Sequence, residues 1–143
     1  MVIYMKTAVV YWSSTGNTEE MANLIADAVR AAGAQAELFT ASDFNAELIK
    51  DFDSFAFGCP SMGVEELEES EFRPMFDEVK GSLAGKKVGL FGSYGWGDGE
   101  WMRNWQEECE GLGIALVADG VIANEAPDSE AAQKCAELGN LLV

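Results

Sequence analysis

Apolar residues along the chain follow two alternating patterns, short unbroken runs and stretches with helical spacing. The first run covers residues 7–12, and apolar residues then recur three and four positions apart over residues 21–29. A run of that length favours a strand, and the spacing after it places apolar side chains on one face of a helix. Gly33 follows, where glycine typically ends a helix. A strand followed by a helix is therefore the first predicted unit.

The same alternation continues to the end of the chain. Further strands are predicted at residues 36–39, 54–58 and 87–93, with a last strand in two pieces at residues 114–117 and 121–123. Helices are predicted from residue 72, with Pro74 in the first turn, at residues 100–111, and from about residue 129. The inward positions of the last two helices are predicted to be Trp101, Trp105, Cys109, Leu112, Ala132, Cys135, Gly139 and Leu142.

Five strands, each followed by a helix, predict an α/β fold. It is a doubly wound three-layer sandwich, in which a parallel sheet has helices on both faces. The strands lack polar alternation, which agrees with burial on both faces. Ligands bind such sheets at the carboxyl ends of the strands. The loops at that edge are residues 13–18, 59–70, 93–99 and 117–127.

Length and charge limit the number of domains and the classes of partner that the chain can have. The 143 residues, 48% of them apolar, are predicted to form one domain over residues 1–143. Nine basic residues against 25 acidic ones give a net charge of −16, which repels nucleic acid and anionic membranes and favours basic protein partners. No run approaches the length of a membrane span, and the first residues lack the order of a signal peptide. A cytoplasmic location is therefore predicted.

The residue types exclude several kinds of site. The chain has no histidine, which rules out Ser-His-Asp and Cys-His nucleophile pairs and histidine-ligated metals. Its three cysteines have no C-x-x-C spacing and are expected to be reduced thiols. No catalytic or metal-ligating residue is assigned, and the chemistry is expected to come from a cofactor or from carboxylates.

Residues 13–18 form a hydroxyl-rich loop between the first strand and the first helix. They are Ser13, Ser14, Thr15, Gly16, Asn17 and Thr18. The N–H groups and dipole of a helix N-terminus, together with nearby hydroxyls, suit a phosphate group. The loop lacks the lysine and the glycine spacing of a Walker A motif. A hydroxyl cap on the helix is the alternative interpretation.

Two further loops carry side chains suited to a planar ring. Met62 and Gly63 stand in the loop after the third strand, where the alternative is a methionine folded onto the core. The loop at residues 93–99 alternates three glycines with Tyr94 and Trp96. Glycine lets a ligand approach the backbone, and an indole can stack on a ring. The three loops together predict a bound mononucleotide with a large heterocycle.

Three stretches make the chain resemble the flavodoxins, most closely their short-chain, clostridial-type branch. They are residues 11–18, 58–63 and 91–99, and the resemblance extends from about Lys6 to the C-terminus. It implies a flavodoxin-like five-stranded parallel sheet of order 2-1-3-4-5 and FMN as the cofactor. Residues 1–5 precede the start typical of the family and are interpreted as an N-terminal extension.

The resemblance also implies how FMN is held. The phosphate lies in residues 13–18 with help from Ser93, while Met62 covers one face of the isoalloxazine and Trp96 the other. The implied FMN contacts are Ser13, Ser14, Thr15, Gly16, Asn17, Thr18, Pro60, Ser61, Met62, Gly63, Glu65, Ser93, Tyr94, Gly95, Trp96, Gly97 and Asp98.

The ring edge has its own implied contacts. Glu65 accepts a hydrogen bond from the flavin N3–H, and the backbone of residues 94–97 donates to the pyrimidine end. The peptide of Gly63 turns to offer its carbonyl to N5–H of the neutral semiquinone. Relatives commonly carry a small or polar residue where this chain has Val64, and a β-branched residue disfavours the positive φ of a type II turn. We therefore expect Val64 to penalise the turned-over form.

The implied function is a low-potential one-electron carrier that shuttles FMN between semiquinone and hydroquinone and transforms no substrate of its own. A run of carboxylates is expected to rim the flavin, where one carboxylate about 10 Å away disfavours added negative charge by roughly 0.4 kcal/mol. The rim would also steer basic-patched redox proteins, of reductase or ferredoxin-dependent type, to a monomeric carrier. The rim residues are Glu65, Glu66, Glu68, Glu69, Glu71, Asp98 and Glu100.

Three other functions fit less well. An FMN-dependent quinone or NAD(P)H reductase on the same scaffold needs extra segments or a dimer interface to build its substrate pocket, and it would consume NADH without an added reductase. A phosphorylated receiver domain needs clustered aspartates after the first strand, where this chain has serines. A binding module without flavin leaves Met62 and Trp96 unexplained.

Overall fold

Six parallel strands form the single sheet of the computed structural model, which describes residues 5–143. Their bounds are β1 Lys6–Tyr11, β2 Gln35–Thr40, β3 Ser54–Gly58, β4 Lys87–Tyr94, β5 Ala115–Leu116 and β6 Val121–Asn124. The order is β2-β1-β3-β4-β5, and β6 also pairs with β4. This confirms the predicted doubly wound sheet. The interpretation of residues 1–4 as part of an extension lies outside the described residues.

Within residues 5–143, four α-helices cover the two faces of the sheet. They are α1 Asn17–Ala31, α2 Phe72–Val79, α3 Glu100–Gly111 and α4 Ser129–Leu142. The side chains of α1 and α4 pack into one hydrophobic core, and those of α2 and α3 into another on the opposite face. No helix within residues 5–143 has both the length and the apolar character of a membrane span.

The last strand is split in two, as the sequence predicts. Lys87 and Val88 pair with β5, and β4 resumes pairing with β6 at Phe91. Two residues of β4 lie between these pairings, opposite the four residues 117–120. The two extra residues bulge out of the ladder and divide the strand.

The connection after β2 differs from the prediction of a helix after every strand. Two 3₁₀ helices, Ala41–Asp43 and Ala46–Asp51, stand there instead. The side chain of Asn45 accepts hydrogen bonds from the N–H groups of Glu47 and Leu48, at 3.0 and 3.3 Å. Such local bonds compete with regular helix, so this segment turns tightly instead of extending into a helix.

Two predicted inward positions are wrong. Leu112 is 44% exposed, because α3 ends one residue earlier and the chain turns away from the core. Ala132 is only half-buried, and the inward face of α4 includes Ala131 and Leu138. The remaining predicted positions on α3 and α4 are buried.

Candidate cofactor-binding site

The loop between β1 and α1 leaves backbone donors open at the carboxyl edge of the sheet. Gly16 directly precedes α1 as its N-cap residue, with a left-handed backbone, φ +95°, and has no side chain to cap the helix. Its N–H group donates to Ser13 Oγ at 3.1 Å, which folds the loop back on itself. Within residues 5–143, the N–H groups of Thr18 and Glu19 have no protein acceptor. The Thr15 hydroxyl accepts from Asn17 N–H at 3.4 Å, so the hydroxyl-cap alternative holds for one N–H group, while those of Thr18 and Glu19 remain open to an anion.

Buried hydroxyls hold this loop to the other two. Thr18 and Ser93 are almost fully buried, and their hydroxyl oxygens lie 3.0 Å apart. The Ser93 N–H also donates to Thr18 Oγ1 at 3.3 Å, and the Ser93 carbonyl accepts from Ser61 N–H at 3.0 Å. Ser93 is thus the point at which the loops after β1, β3 and β4 meet, and its hydroxyl contacts Thr18.

A tight turn follows β3 and carries Met62. The backbones of Met62 and Glu66 exchange two hydrogen bonds of 2.8 Å, which closes a three-residue turn between them. Gly63 and Glu65 have positive φ, at +54° and +49°, whereas Val64 does not. The positive φ values of this turn therefore fall on Gly63 and Glu65, and the penalty of Val64 on the turned-over form stays a prediction. Val64 stands at the tip of the turn with 79% of its surface exposed.

Glu65 joins this turn to the loop after β4. Its Oε1 accepts a hydrogen bond of 3.0 Å from the N–H of Glu100, the first residue of α3. Its carboxyl group also lies against the backbone of Gly97. Trp96, next to Gly97, is 63% exposed although it is large and apolar. The Glu65 contact therefore brings the turn with Met62 against the loop with Trp96.

The root of the Met62 loop is fixed by Trp101. The indole Nε1 of Trp101 donates to the carbonyl oxygen of Cys59 at 3.1 Å, and both residues are buried. A Cβ on Gly92 would lie 2.1 Å from the same oxygen, so only glycine fits beside it. Burial raises the pKa of the Cys59 thiol to about 12, which keeps it protonated and unreactive.

Glu68 does not belong to the predicted acidic rim. It is buried, and its carboxylate accepts hydrogen bonds from the Ser70 hydroxyl and from the N–H groups of Ser70, Glu71 and Phe72. Burial by itself raises the pKa of Glu68, and these bonds outweigh it and lower the pKa overall. Glu68 therefore caps the start of α2, and Glu71 accepts a bond from Trp12 Nε1 at 3.0 Å.

The other carboxylates predicted for the rim remain near solvent. Glu66, Glu69, Asp98 and Glu100 are exposed, while Glu65 is half-buried. Arg103 stands among them and donates to the carboxylate and the carbonyl of Asp98, at 2.9 and 3.0 Å. The rim is therefore acidic, with one cation held against Asp98.

The sequence places residues 117–127 in a loop at the ligand-binding edge but assigns no site residue at the end of β6. Asn124 pairs with Tyr94 in the sheet, and the N–H of Glu125 donates to the Tyr94 carbonyl at 2.8 Å. Glu125 has a φ of +61°, and its Oε1 lies 3.3 Å from where Gly95 would carry a Cβ. Asn124 and Glu125 could have been identified from the sequence, since both are polar and directly follow the predicted strand at residues 121–123.

The remaining predicted site residues lie in the same three loops. Ser14, Thr15, Gly63, Gly95, Gly97 and Asp98 are exposed, Ser13, Gly16, Asn17, Ser61, Met62 and Tyr94 are half-buried, and Pro60 is buried. The structure thus brings together an open helix N-terminus, a methionine turn and an exposed indole on one edge of the sheet.

Known proteins share both the sequence and this architecture. The Flavodoxin family model matches residues 9–139. The flavodoxin of Megasphaera elsdenii is 50% identical over 131 residues, covering 92% of this chain and 93% of that protein. The flavodoxin of Clostridium beijerinckii is 47% identical, covering 92% of this chain and 94% of that protein.

Solved structures agree with these sequence relatives. The two-electron reduced flavodoxin of Megasphaera elsdenii superposes with a TM-score of 0.88 at 48% identity, covering 95% of this chain and 97% of that one. A flavodoxin from the domain Archaea superposes with a TM-score of 0.82 at 26% identity, covering 94% of each chain. The chain therefore belongs to the flavodoxin family, whose members bind FMN and act as electron carriers.

Proposed function

We propose that this chain works as a single FMN-binding domain that accepts and donates one electron at a time at low potential, between soluble redox proteins. The observation that carries the proposal is the bond between Glu65 and Glu100 N–H, at 3.0 Å. It joins the turn that carries Met62 to the loop that carries Trp96, beside the open N-terminus of α1. FMN, when bound there, supplies the one-electron chemistry, and the chain supplies binding and electrostatics.

The phosphate of FMN would be held by the loop between β1 and α1. Neutral hydrogen-bond donors are available from the free N–H groups of Thr18 and Glu19 and from the hydroxyls of Ser14 and Thr15. The helix dipole adds a positive field at the same place. Ser93 supports this loop through its hydroxyl contact with Thr18 and would help to hold the phosphate. The phosphate is therefore bound without a lysine or an arginine.

The ring of FMN would lie between Met62 and Trp96. Trp96 has an exposed face to stack on the ring, and Met62 adapts its flexible thioether to the other face. Oε2 of Glu65 takes part in no hydrogen bond within residues 5–143, which leaves it free to accept from the flavin N3–H. The backbone N–H groups of residues 94–97 would meet the pyrimidine end, and the Gly63 carbonyl the N5–H.

The acidic surroundings would lower the reduction potential. The chain carries a net charge of −16, and Glu65, which accepts from Glu100 N–H, would lie at the ring edge. Each nearby carboxylate raises the free energy of added negative charge on the ring, and water weakens the effect without removing it. The last electron would therefore be held weakly and passed on readily.

The same charges would select the partner protein. The cysteines, in turn, are consistent with a reducing compartment. Exposed carboxylates at Glu66, Glu69 and Glu100 would attract a redox protein with a basic patch, of the reductase or ferredoxin-dependent type. All three cysteines are buried free thiols, which suits the cytoplasm. We propose a monomeric carrier, since a one-electron carrier must expose its cofactor edge to its partners.

The test is a stepwise anaerobic reduction of the FMN-loaded protein, followed by visible spectroscopy. A transient blue colour near half-reduction, followed by bleaching at a much lower potential, is the expected result. Reduction in a single two-electron step, with steady NADH consumption in the absence of any added reductase, would favour a flavin reductase instead. Failure to retain FMN after removal of the excess would overturn the proposed site.

A further inference from the structure

An ion-pair network connects α2 to α3 below the candidate site. Arg73 Nη1 donates to Glu108 Oε1 at 2.9 Å, and Arg73 Nη2 donates to Glu108 Oε2. Asp77 accepts from Arg73 and from Lys80, each at 2.8 Å, and Lys80 Nζ lies 3.2 Å from Glu108 Oε2. Glu108 is the only member that α3 contributes to these contacts, so it alone connects the two helices through this network.

The pair between Arg73 and Glu108 is partly shielded from water. The side chains are 31% and 26% exposed, and the contact is a two-bond fork. The hydrogen bonds that Arg73 donates to Glu108 raise the pKa of Arg73. Burial by itself raises the pKa of Glu108, and the bonds from Arg73 and Lys80 outweigh it and lower the pKa overall. Fork-shaped, partly buried pairs are stronger and more directional than single surface contacts.

Both residues of the pair are connected to the loops of the candidate site, Arg73 through hydrogen bonds of Glu68 and Glu108 through α3. The Arg73 N–H donates to the carbonyl of Glu68 at 2.8 Å, and the Glu68 N–H donates to Cys59 Sγ at 3.3 Å. Glu108 stands two turns along α3 from Glu100, whose N–H binds Glu65. The segment that contains the Met62 turn is therefore tied to α3 by the Glu65–Glu100 bond, by the Trp101–Cys59 bond at its root and, farther along α3, by the Arg73–Glu108 pair.

The space between the Glu65–Glu100 bond and the Arg73–Glu108 pair is a cavity of about 260 Å³. Its lining includes Glu65, Leu67, Arg73, Trp101, Trp105 and Glu108. Trp105 is buried, with 2% of its surface exposed, and its Nε1 has no hydrogen-bond partner within the described chain. Side chains that fill a space fix the distance between their elements, and an open space does not. Phe72 and Phe76 pack edge-on against Trp105, so the separation between the Met62–Glu66 turn and α3 depends on this packing together with the polar ties on either side of the open space.

We infer that Arg73 and Glu108 are positioning residues that hold the Met62–Glu66 turn at the distance from α3 that FMN binding requires. The inference rests on the proposed function, since it assumes that this turn contacts the ring. Neither side chain contacts the cofactor loops directly, so the effect passes through the start of α2 and through α3.

Two substitutions with opposite charge changes separate positioning from electrostatics. Arg73→Ala makes the chain more negative by one charge and Glu108→Ala makes it less negative by one, and each removes the fork. If the pair positions the turn, both variants weaken FMN binding in the same direction, by about threefold to tenfold, and both shift the first reduction potential the same way. If the pair acts only through its charges, the two variants shift the potential in opposite directions, which would overturn the inference.

A charge-swapped double variant and a remote pair complete the test. Arg73→Glu with Glu108→Arg keeps the net charge and restores the fork, so we expect it to recover FMN affinity and potential. Glu130→Ala and Lys134→Ala break an ion pair of 3.5 Å on α4 with the same charge changes and are expected to alter neither. Unchanged FMN binding in both Arg73→Ala and Glu108→Ala would refute the inference alone, whereas loss of FMN binding by the unmodified protein would refute the proposed function.

Discussion

The carboxyl carbon of Glu65 lies 2.7 Å from the point at which Gly97 would carry a Cβ. The absence of a side chain at residue 97 therefore lets the Glu65 carboxyl group lie against the loop after β4, beside its bond with Glu100 N–H. Gly97 also has a φ of +87°, which an L-residue with a side chain rarely adopts. Two independent constraints thus require glycine at this contact.

Gly97→Ala is expected to separate the two loops and weaken FMN binding by tenfold or more. The added methyl group must displace the Glu65 carboxylate, and the positive φ adds strain of roughly 1 kcal/mol or more. Fluorescence titration of the apoprotein with FMN measures the loss. Gly81→Ala is the matched control, because its Cβ would meet nothing within 4 Å and its φ is not positive. Equal affinities for the two variants would contradict the contact.

Glu65→Gln is expected to raise the potential of the second reduction step. The substitution removes one negative charge beside the ring and keeps an oxygen that can accept from Glu100 N–H. Even a carboxylate about 10 Å from an added charge contributes roughly 0.4 kcal/mol, or about 20 mV for one electron, so a closer one should contribute more. Spectroelectrochemistry measures the shift, with Glu130→Gln on α4 as the control for net charge. A shift of the same size in both variants would assign the effect to total charge.

The sequence predicts the frame of the fold well because its signals are local. An apolar run of strand length, a helical spacing and a closing glycine are properties of neighbouring residues, and α3 and α4 begin at the predicted residues 100 and 129. The 3₁₀ helices after β2 escape this reasoning, since the bonds of Asn45 to the following N–H groups depend on a backbone already turned.

The candidate site likewise has a part that the sequence predicts and a part that only the fold shows. The three loops are recognisable because hydroxyls, glycines and aromatic residues directly follow strands. The role of Glu68 is not recognisable from the sequence, since a glutamate among other glutamates is expected to be exposed. Only the fold shows that Glu68 is buried and that its carboxylate accepts from the start of α2. Glu125 is similar, because its contact with Gly95 joins β6 to a loop thirty residues earlier.

Glu68→Gln is expected to lower stability at neutral pH more than at acid pH. The pKa of Glu68 is lowered in the folded protein, so its carboxylate stabilises the fold above the unfolded pKa of about 4.3, and that contribution is lost as pH falls through the folded pKa. A neutral amide loses charge-assisted bonds to the start of α2, at a cost of about 1–3 kcal/mol near pH 7.

Urea unfolding of the apoprotein from pH 7 to pH 3 tests this pH dependence. The free energy of unfolding of the unmodified protein should approach that of Glu68→Gln as pH falls below about 4.3. Glu69→Gln is the neighbouring control, because Glu69 is exposed and makes none of these bonds. A gap between the unmodified protein and Glu68→Gln that stays constant with pH would show that the carboxylate charge is not what stabilises α2.

Electron transfer to a basic protein should depend on salt through the exposed part of the rim. Glu66 and Glu69 are exposed and line the cavity beside Glu65, whereas the buried Glu68 cannot meet a partner. The double variant Glu66→Gln with Glu69→Gln should slow the reduction of a small basic c-type cytochrome by roughly twofold to fivefold at low salt. At ionic strengths where the screening length is about 3 Å, near 1 M, the difference should vanish.

Stopped-flow absorbance of the cytochrome measures these rates. Glu130→Gln with Glu137→Gln changes the net charge equally on the exposed surface of α4, on a different helix from the rim. Because steering depends on where the charges lie, this control should keep the rate of the unmodified protein within a small margin. If both double variants slow the reaction equally, partners respond to the total charge of −16 and not to the rim. A slower rate in the rim variant alone would locate the docking surface beside Glu65 and the proposed ring edge.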